Sequence, residues 1–147
     1  MKTIRLIVLA ALLLPALVSQ AQTKEETIEW LKDKLERYSN LNRDFDCCSN
    51  LKLLNVTECE ITYSYSLSYL DGTKGEILVS FPTYRLVLTE EGQGMKFKAK
   101  SQIIRVTERG KITYTSEDVN VIIVNREENI YERIKKAIDY LGTFCTK

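Results

Sequence analysis

A strict alternation of apolar and polar residues marks residues 59–69 as a β-strand. Apolar or aromatic side chains occupy the odd positions, and polar side chains occupy the even ones. Because successive side chains of a strand point to opposite faces, one face of this strand should be buried and the other wet. The pattern is typical of an antiparallel sheet that is covered on one side. The odd positions hold Cys59, Ile61, Tyr63, Tyr65, Leu67 and Tyr69.

Six further short segments of apolar or alternating character follow this strand, several of them after turns that contain glycine. Their number and spacing predict a six- or seven-stranded antiparallel sheet that is curved or closes partly into a barrel. The segments are 77–81, 86–88, 95–99, 103–106, 112–114 and 119–124.

A helix is predicted before the sheet. Thr23 and Glu26 have the spacing of a capping box, in which each side chain bonds the backbone amide of the other residue. An apolar stripe at helical spacing follows and ends near Tyr38, while Trp30 falls on the opposite side. The stripe consists of Ile28, Leu31, Leu35 and Tyr38.

A second helix is predicted after the sheet, with Asn125 as its cap and Glu128 three residues later. Its apolar stripe needs a partner surface, and the tyrosine-bearing face of the sheet is the expected one. The fold class is therefore α+β, with both helices and the sheet in one domain, residues 22–147. The stripe consists of Ile130, Ile134, Ala137, Ile138, Leu141 and Cys145.

Residues 1–21 have the pattern of a cleavable signal peptide. Lys2 and Arg5 form a basic start, and Leu6–Leu17 carries no charge but is too short to span a bilayer comfortably. Small residues, Ser19 and Ala21, stand before the expected cut. The alternative is an uncleaved anchor. Cleavage predicts a periplasmic or secreted protein without a transmembrane anchor.

Composition excludes several classes of function. Without Lys2 and Arg5 the chain has 19 basic and 20 acidic residues, so no excess of positive charge favours nucleic acid. The absence of histidine excludes Ser-His-Asp and Cys-His catalysis and most zinc sites. No glycine-rich phosphate loop is present, and no cofactor is predicted. A hydrolase built on paired carboxylates stays open, with candidates Glu90, Glu91, Glu108, Glu117 and Asp118 in predicted turns.

Four cysteines, an even number, suggest disulfides in an oxidising compartment. A bridge between the neighbours Cys47 and Cys48 would strain the peptide bond between them. The two favoured schemes therefore connect these neighbours separately to Cys59 and Cys145. The alternative is that some of the four are buried free thiols.

Six residues are candidates for a binding surface, each with a structural alternative. Tyr63 and Tyr65 either line a ligand groove or belong to the core, and Trp30 is either a contact or a partly covered edge. Lys96, Lys98 and Lys100 alternate along one strand. They either meet an anionic partner or protect an exposed strand from pairing.

The sequence resembles small exported proteins of Gram-negative bacteria that contain a pleckstrin-homology-like domain. The resemblance is carried by residues 27–35, TIEWLKDKL, and by residues 132–141, ERIKKAIDYL, together with Cys145. It implies a noncatalytic scaffold that binds a peptide, a protein or a lipid headgroup. No basic cluster occupies an early loop between strands, so phosphoinositide recognition is not carried over.

The function expected from the sequence is an exported, noncatalytic binding module, whose partner is an unknown protein, peptide or envelope component. Two alternatives stay open. One is the small carboxylate hydrolase, and the other is a carrier that holds an apolar ligand between sheet and helix.

Overall fold

A computed structural model describes residues 23–41, 48–91, 94–99, 104–108, 111–124 and 127–145. These residues form two helices, nine strands and a short 3₁₀ turn, Thr83–Arg85. Residues 1–22, which include the predicted signal peptide, and Cys47, Lys100 and Asn125 lie outside the described residues. In chain order the elements are α1 (Lys24–Tyr38), β1 (Ser39–Leu41), β2 (Cys48–Val56), β3 (Glu60–Ser68), β4 (Lys74–Pro82), β5 (Leu86–Glu91), β6 (Gly94–Ala99), β7 (Ile104–Glu108), β8 (Lys111–Ser116), β9 (Asp118–Val124) and α2 (Ile130–Gly142).

Helix α1 begins with the predicted capping box. The amide of Glu26 donates to the Thr23 hydroxyl at 3.1 Å, and the amide of Thr23 donates to the Glu26 carboxylate at 2.9 Å. The two bonds satisfy amide groups that have no partner inside the helix. Leu31 and Leu35 are fully buried. The predicted helix, its cap and its end at Tyr38 are confirmed.

The strands form two antiparallel sheets, one with the order β1-β9-β6-β5 and one with the order β2-β3-β4-β7-β8. Strand β3 pairs with β4 without irregularity from Glu60 opposite Pro82 to Ser68 opposite Lys74. Its odd positions Ile61, Tyr63 and Tyr65 are buried, as the alternation predicts.

The aromatic core joins the two sheets. Phe97 of β6 lies with its ring centroid 4.9 Å from that of Phe81 on β4 and 6.3 Å from that of Tyr63 on β3. All three side chains are fully buried. Each sheet thus covers the apolar face of the other, which is a stable arrangement of two layers.

The predicted α+β class with a helix at each end is confirmed, but a single curved sheet or partly closed barrel is wrong. The buried rings of β3 and β6 face each other from different sheets. Strands β1 and β2 were not predicted. Strand β2 has no simple alternation of buried and exposed positions, and its pairing with β3 is irregular in two places.

Helix α2 begins at Ile130, and its cap is Asn129 in a left-handed conformation with φ 57°, so the predicted cap at Asn125 is wrong. Five residues of the predicted stripe, Ile130, Ile134, Ala137, Ile138 and Leu141, are buried, whereas the sixth, Cys145, follows the helix and is half-buried. The helix packs mainly against α1, the 3₁₀ turn and β5, and not on the tyrosine-bearing strand β3. The sheet that it contacts is therefore the smaller one.

One buried hydroxyl provides a test of the packing around β5. Thr89 Oγ1 is buried and has no hydrogen-bond partner among the residues that the structure describes. Because an unpaired buried polar group is costly, we expect Thr89→Val to raise the free energy of unfolding by about 1 kcal/mol. Urea denaturation measures this change.

The matched control for this change is Thr62→Val. The Thr62 hydroxyl on β3 donates to Glu60 Oε1 at 3.2 Å, so its removal should leave stability unchanged or lower it. A loss of stability in Thr89→Val would show that this hydroxyl is satisfied in the folded protein.

Candidate functional site

Tyr63 and Tyr65 do not form a binding surface. They are only 0 % and 6 % exposed, because the second sheet covers the face on which they lie. The Tyr63 hydroxyl shares a hydrogen bond of 2.6 Å with Ser39 Oγ on β1, and burial raises the pKa of this tyrosine. Both side chains belong to the core, the alternative that the sequence left open.

The lysine row also differs from expectation. Strand β6 lies between β5 and β9, so it is a central strand and its lysines do not protect an edge. Lys96 stands between Thr89 and Ile122 on the neighbouring strands and is 8 % exposed. Lys98 is half-buried. Lys96 therefore offers little surface to an anionic partner.

Trp30 lies at the contact between the two helices. The Arg133 guanidinium of α2 stands 5.0 Å from the centroid of its ring, and the indole is half-buried. This arrangement is a cation–π contact, which stabilises the helix pair. Of the two alternatives given for Trp30, the structure therefore favours a side chain that α2 partly covers.

Glu127 forms the polar centre of the same contact. Its Oε1 accepts hydrogen bonds from Lys34 Nζ at 2.8 Å and from the Tyr38 hydroxyl at 2.6 Å. Arg133 Nη1 lies 3.6 Å from Oε2. These donors, Lys34 first and Tyr38 second, hold the pKa of Glu127 below its ordinary value. The same hydrogen bond raises the pKa of Tyr38.

Glu127 should make the stability of the protein depend on pH. Its pKa is lower in the folded than in the unfolded protein, so its contribution is present above the ordinary pKa of 4.5 and is lost as the pH falls through the folded value. We expect Glu127→Gln to reduce this loss in the acid range and to lower stability at neutral pH. Urea midpoints at a series of pH values measure both effects.

Glu132→Gln is the control for this pH dependence, because Glu132 is exposed on α2 and lies outside the cluster. It should keep the acid-range loss of the unmodified protein. An equal pH profile for Glu127→Gln and the unmodified protein would contradict the role of Glu127.

Cys59 and Cys145 form a disulfide with a Cα–Cα distance of 5.4 Å. Both favoured pairing schemes are therefore wrong. Cys59 lies in the turn after β2, whereas Cys48 begins that strand opposite Leu67. Cys48 and Val56 lie opposite Leu67 and Ile61, six residues of β3 apart or about 20 Å, so Cys48 is too far from Cys59 to pair with it. The bridge ties the turn between β2 and β3 to the residues after α2.

A cleft of about 260 Å³ lies between the start of β5 and the end of α2. The last turn of α2 approaches the 3₁₀ turn closely, since a Cβ at Gly142 would stand only 3.0 Å from Tyr84 Cα. Glycine thus permits this approach. The lining residues are Thr83, Tyr84, Arg85, Leu86, Val87, Asp139, Gly142 and Thr143.

The polar groups of the cleft are open to a ligand. Arg85 and Asp139 are exposed, and in the described part of the chain neither forms an ion pair. The Arg85 guanidinium stands 5.6 Å from the centroid of the Tyr84 ring, which is 40 % exposed. The cleft therefore offers a donor, an acceptor and an aromatic ring.

Glu108 and Glu117 are not among the described residues that line this cleft, and the side chains of Glu90, Glu91 and Asp118 lie outside the described part of the structure. Glu108 accepts a hydrogen bond from the Tyr69 hydroxyl, and Glu117 is exposed. Asp139 is the one carboxylate among the described residues that line the cleft. Hydrolysis by a carboxylate pair needs two such groups about 5 to 9.5 Å apart. The described residues hold no cluster of three or more potential metal ligands.

Sequence reasoning missed Tyr84, Arg85 and Asp139. Helical spacing places Asp139, Gly142 and Thr143 on one face of α2, which was a usable signal. Their partner segment, 83–87, is far away in the sequence, and only the fold brings the two together.

No helix of the described residues has the length and apolar character needed to cross a membrane.

Comparisons with protein-family models, with curated proteins and with solved structures found no match for this chain. The resemblance to exported pleckstrin-homology-like proteins stays a prediction. The structure defines the chain as an α+β protein of two packed antiparallel sheets with a helix at each end.

Proposed function

We propose that the protein is an exported, noncatalytic binding module, and that the cleft between β5 and α2 is its binding site. The unpaired charges of Arg85 and Asp139 at this cleft carry the proposal. Neither residue forms an ion pair with another described residue, so both can form charge-assisted hydrogen bonds with a partner.

Two further observations support the proposal. The Cys59–Cys145 disulfide fixes the chain directly after α2, so the wall formed by the helix end is held in place. A disulfide is also typical of proteins in oxidising compartments, which agrees with the predicted signal peptide. A preorganised site loses less entropy when it binds.

The closed packing under α2 favours this proposal over a carrier of apolar ligands. Ile134 and Leu141 on the inner face of the helix are fully buried in the same core as the sheet residues. An apolar ligand between sheet and helix would have to replace these contacts.

The test is capture from the native cell envelope by three immobilised proteins. One is unmodified, one carries Arg85→Ala and Asp139→Ala, and the control carries Glu132→Ala and Lys136→Ala, an exposed pair of opposite charge on α2. We expect the unmodified protein and the control to retain the same partner, and the cleft variant to lose it. Equal capture by all three proteins, or capture by none, would contradict the proposed site.

A further inference from the structure

The four outer strands of the two sheets differ in how they avoid pairing with another chain. Natural edge strands are usually short, irregular, charged or covered. Strand β1 has three residues, and the pairing of β2 with β3 is irregular twice. Strand β8 begins with Lys111 and pairs with β7 through a register shift.

Strand β5 is regular, and its charges, Glu90 and Glu91, stand only at its end, while α2 approaches its first residues. It has six residues and pairs with β6 from Leu86 opposite Ala99 to Glu91 opposite Gly94 without a register shift. Residues 86–89, Leu-Val-Leu-Thr, include no charge and no proline. A regular apolar edge of this kind is suited to accept a further strand.

The cleft meets this edge of β5 at the first two residues of the strand. Consecutive residues Leu86 and Val87 both line it. Because consecutive side chains of a strand point to opposite faces, a cleft on one face would be lined by only one of them. Since β6 occupies the other edge, the cleft borders the outer edge at Leu86 and Val87.

The opposite wall is the last turn of α2, with Asp139 and Thr143. An extended segment in this groove would have β5 on one side and the helix end on the other. Asp139 can only accept hydrogen bonds, and Arg85 can only donate them. A side-chain amide, which has both a donor and an acceptor, is complementary to this pair.

We propose that an extended peptide segment of the partner adds to the outer edge of β5 as a fifth strand of the smaller sheet, with an Asn or Gln side chain between Arg85 and Asp139. This inference rests on the proposed function, because it specifies the partner of the same cleft. Main-chain hydrogen bonds to β5 supply affinity, and the cleft supplies selectivity.

The experiment selects peptides from a displayed library of random twelve-residue sequences on the immobilised protein and then methylates the backbone nitrogens of a selected peptide one at a time. Alternate amides of an added strand point toward its neighbour. We expect methylation to weaken binding about tenfold or more at every second position and to have little effect between them. Replacing the Asn or Gln of the peptide by Ala should weaken binding by a similar factor.

A second measurement reports on the protein itself. Hydrogen exchange with the peptide bound should show new protection in β5, while exchange in the edge strands β2 and β8 stays unchanged. Binding without the alternating effect, protection at another edge, or failure to select any peptide would overturn the inference. Concentration-dependent dimers that protect β5 in the absence of peptide would also overturn it, because the occupant would then be a second copy.

The outcomes separate the two proposals. If the Arg85→Ala and Asp139→Ala variant loses its envelope partner but peptides show no alternating effect, the cleft binds a partner in another way. If envelope capture is the same for all variants, the proposed function fails together with the inference.

Discussion

Replacing Phe97 by alanine should lower the free energy of unfolding by about 3 to 5 kcal/mol, the cost of truncating a buried aromatic side chain. Phe97 is fully buried, and its ring contacts Tyr63 and Phe81 of the other sheet. The change removes the contact that joins the sheets and leaves a cavity between them. Guanidinium denaturation, followed by the fluorescence of the single tryptophan, Trp30, measures the loss.

Phe144→Ala is the matched control for this prediction. The Phe144 side chain is 47 % exposed. Its ring packs edge to face on the Tyr140 ring, and the two ring centroids are 5.1 Å apart. Its removal should cost at most about 1 kcal/mol, the value of an exposed aromatic pair. Equal losses in the two variants would show that Phe97 does not occupy the centre of the core.

Replacing Cys59 by serine should lower the free energy of unfolding by about 4 to 5 kcal/mol. The bridge joins residues that are 86 positions apart, so its loss releases a long loop and increases the entropy of the unfolded chain. Denaturant unfolding of the oxidised proteins measures the effect, and a marked drop in the midpoint is expected.

The variants Cys59→Ser, Cys145→Ser and the double variant form a double-mutant cycle, which measures the contribution of the disulfide to stability. Each single change already removes it, so the double variant should be about as stable as either single variant. Losses that add together, or single changes without effect, would show that these two cysteines act independently in the folded protein.

The sequence was sufficient for the elements that carry a simple period. The alternation in residues 59–69 predicted β3, and the stripes at helical spacing predicted both helices and their buried residues. It failed for β2, where irregular pairing removes the alternation. It also failed for the arrangement of strands, because a period of two shows that one face is covered but does not show which element covers it.

The disulfide and the cleft depend on contacts between distant parts of the chain. The neighbours Cys47 and Cys48 were expected to pair separately with Cys59 and Cys145, but Cys59 pairs with Cys145, and the length of β2 separates Cys48 from Cys59. In the sequence nothing distinguished Arg85 from other surface charges, and the helical spacing that groups Asp139 with Gly142 and Thr143 does not show which segment faces them. The importance of Arg85 and Asp139 comes from facing one cleft without pairing, which is a property of the fold.

The position of the Cys59–Cys145 bridge also affects how the protein withstands proteases. Eight of the eleven helices and strands that the structure describes lie between the two cysteines. A single cut in any loop of that region leaves both fragments covalently attached. The nicked chain would run as one species on a gel without reductant and as two species with it, and its sheets would stay together at a fixed local concentration.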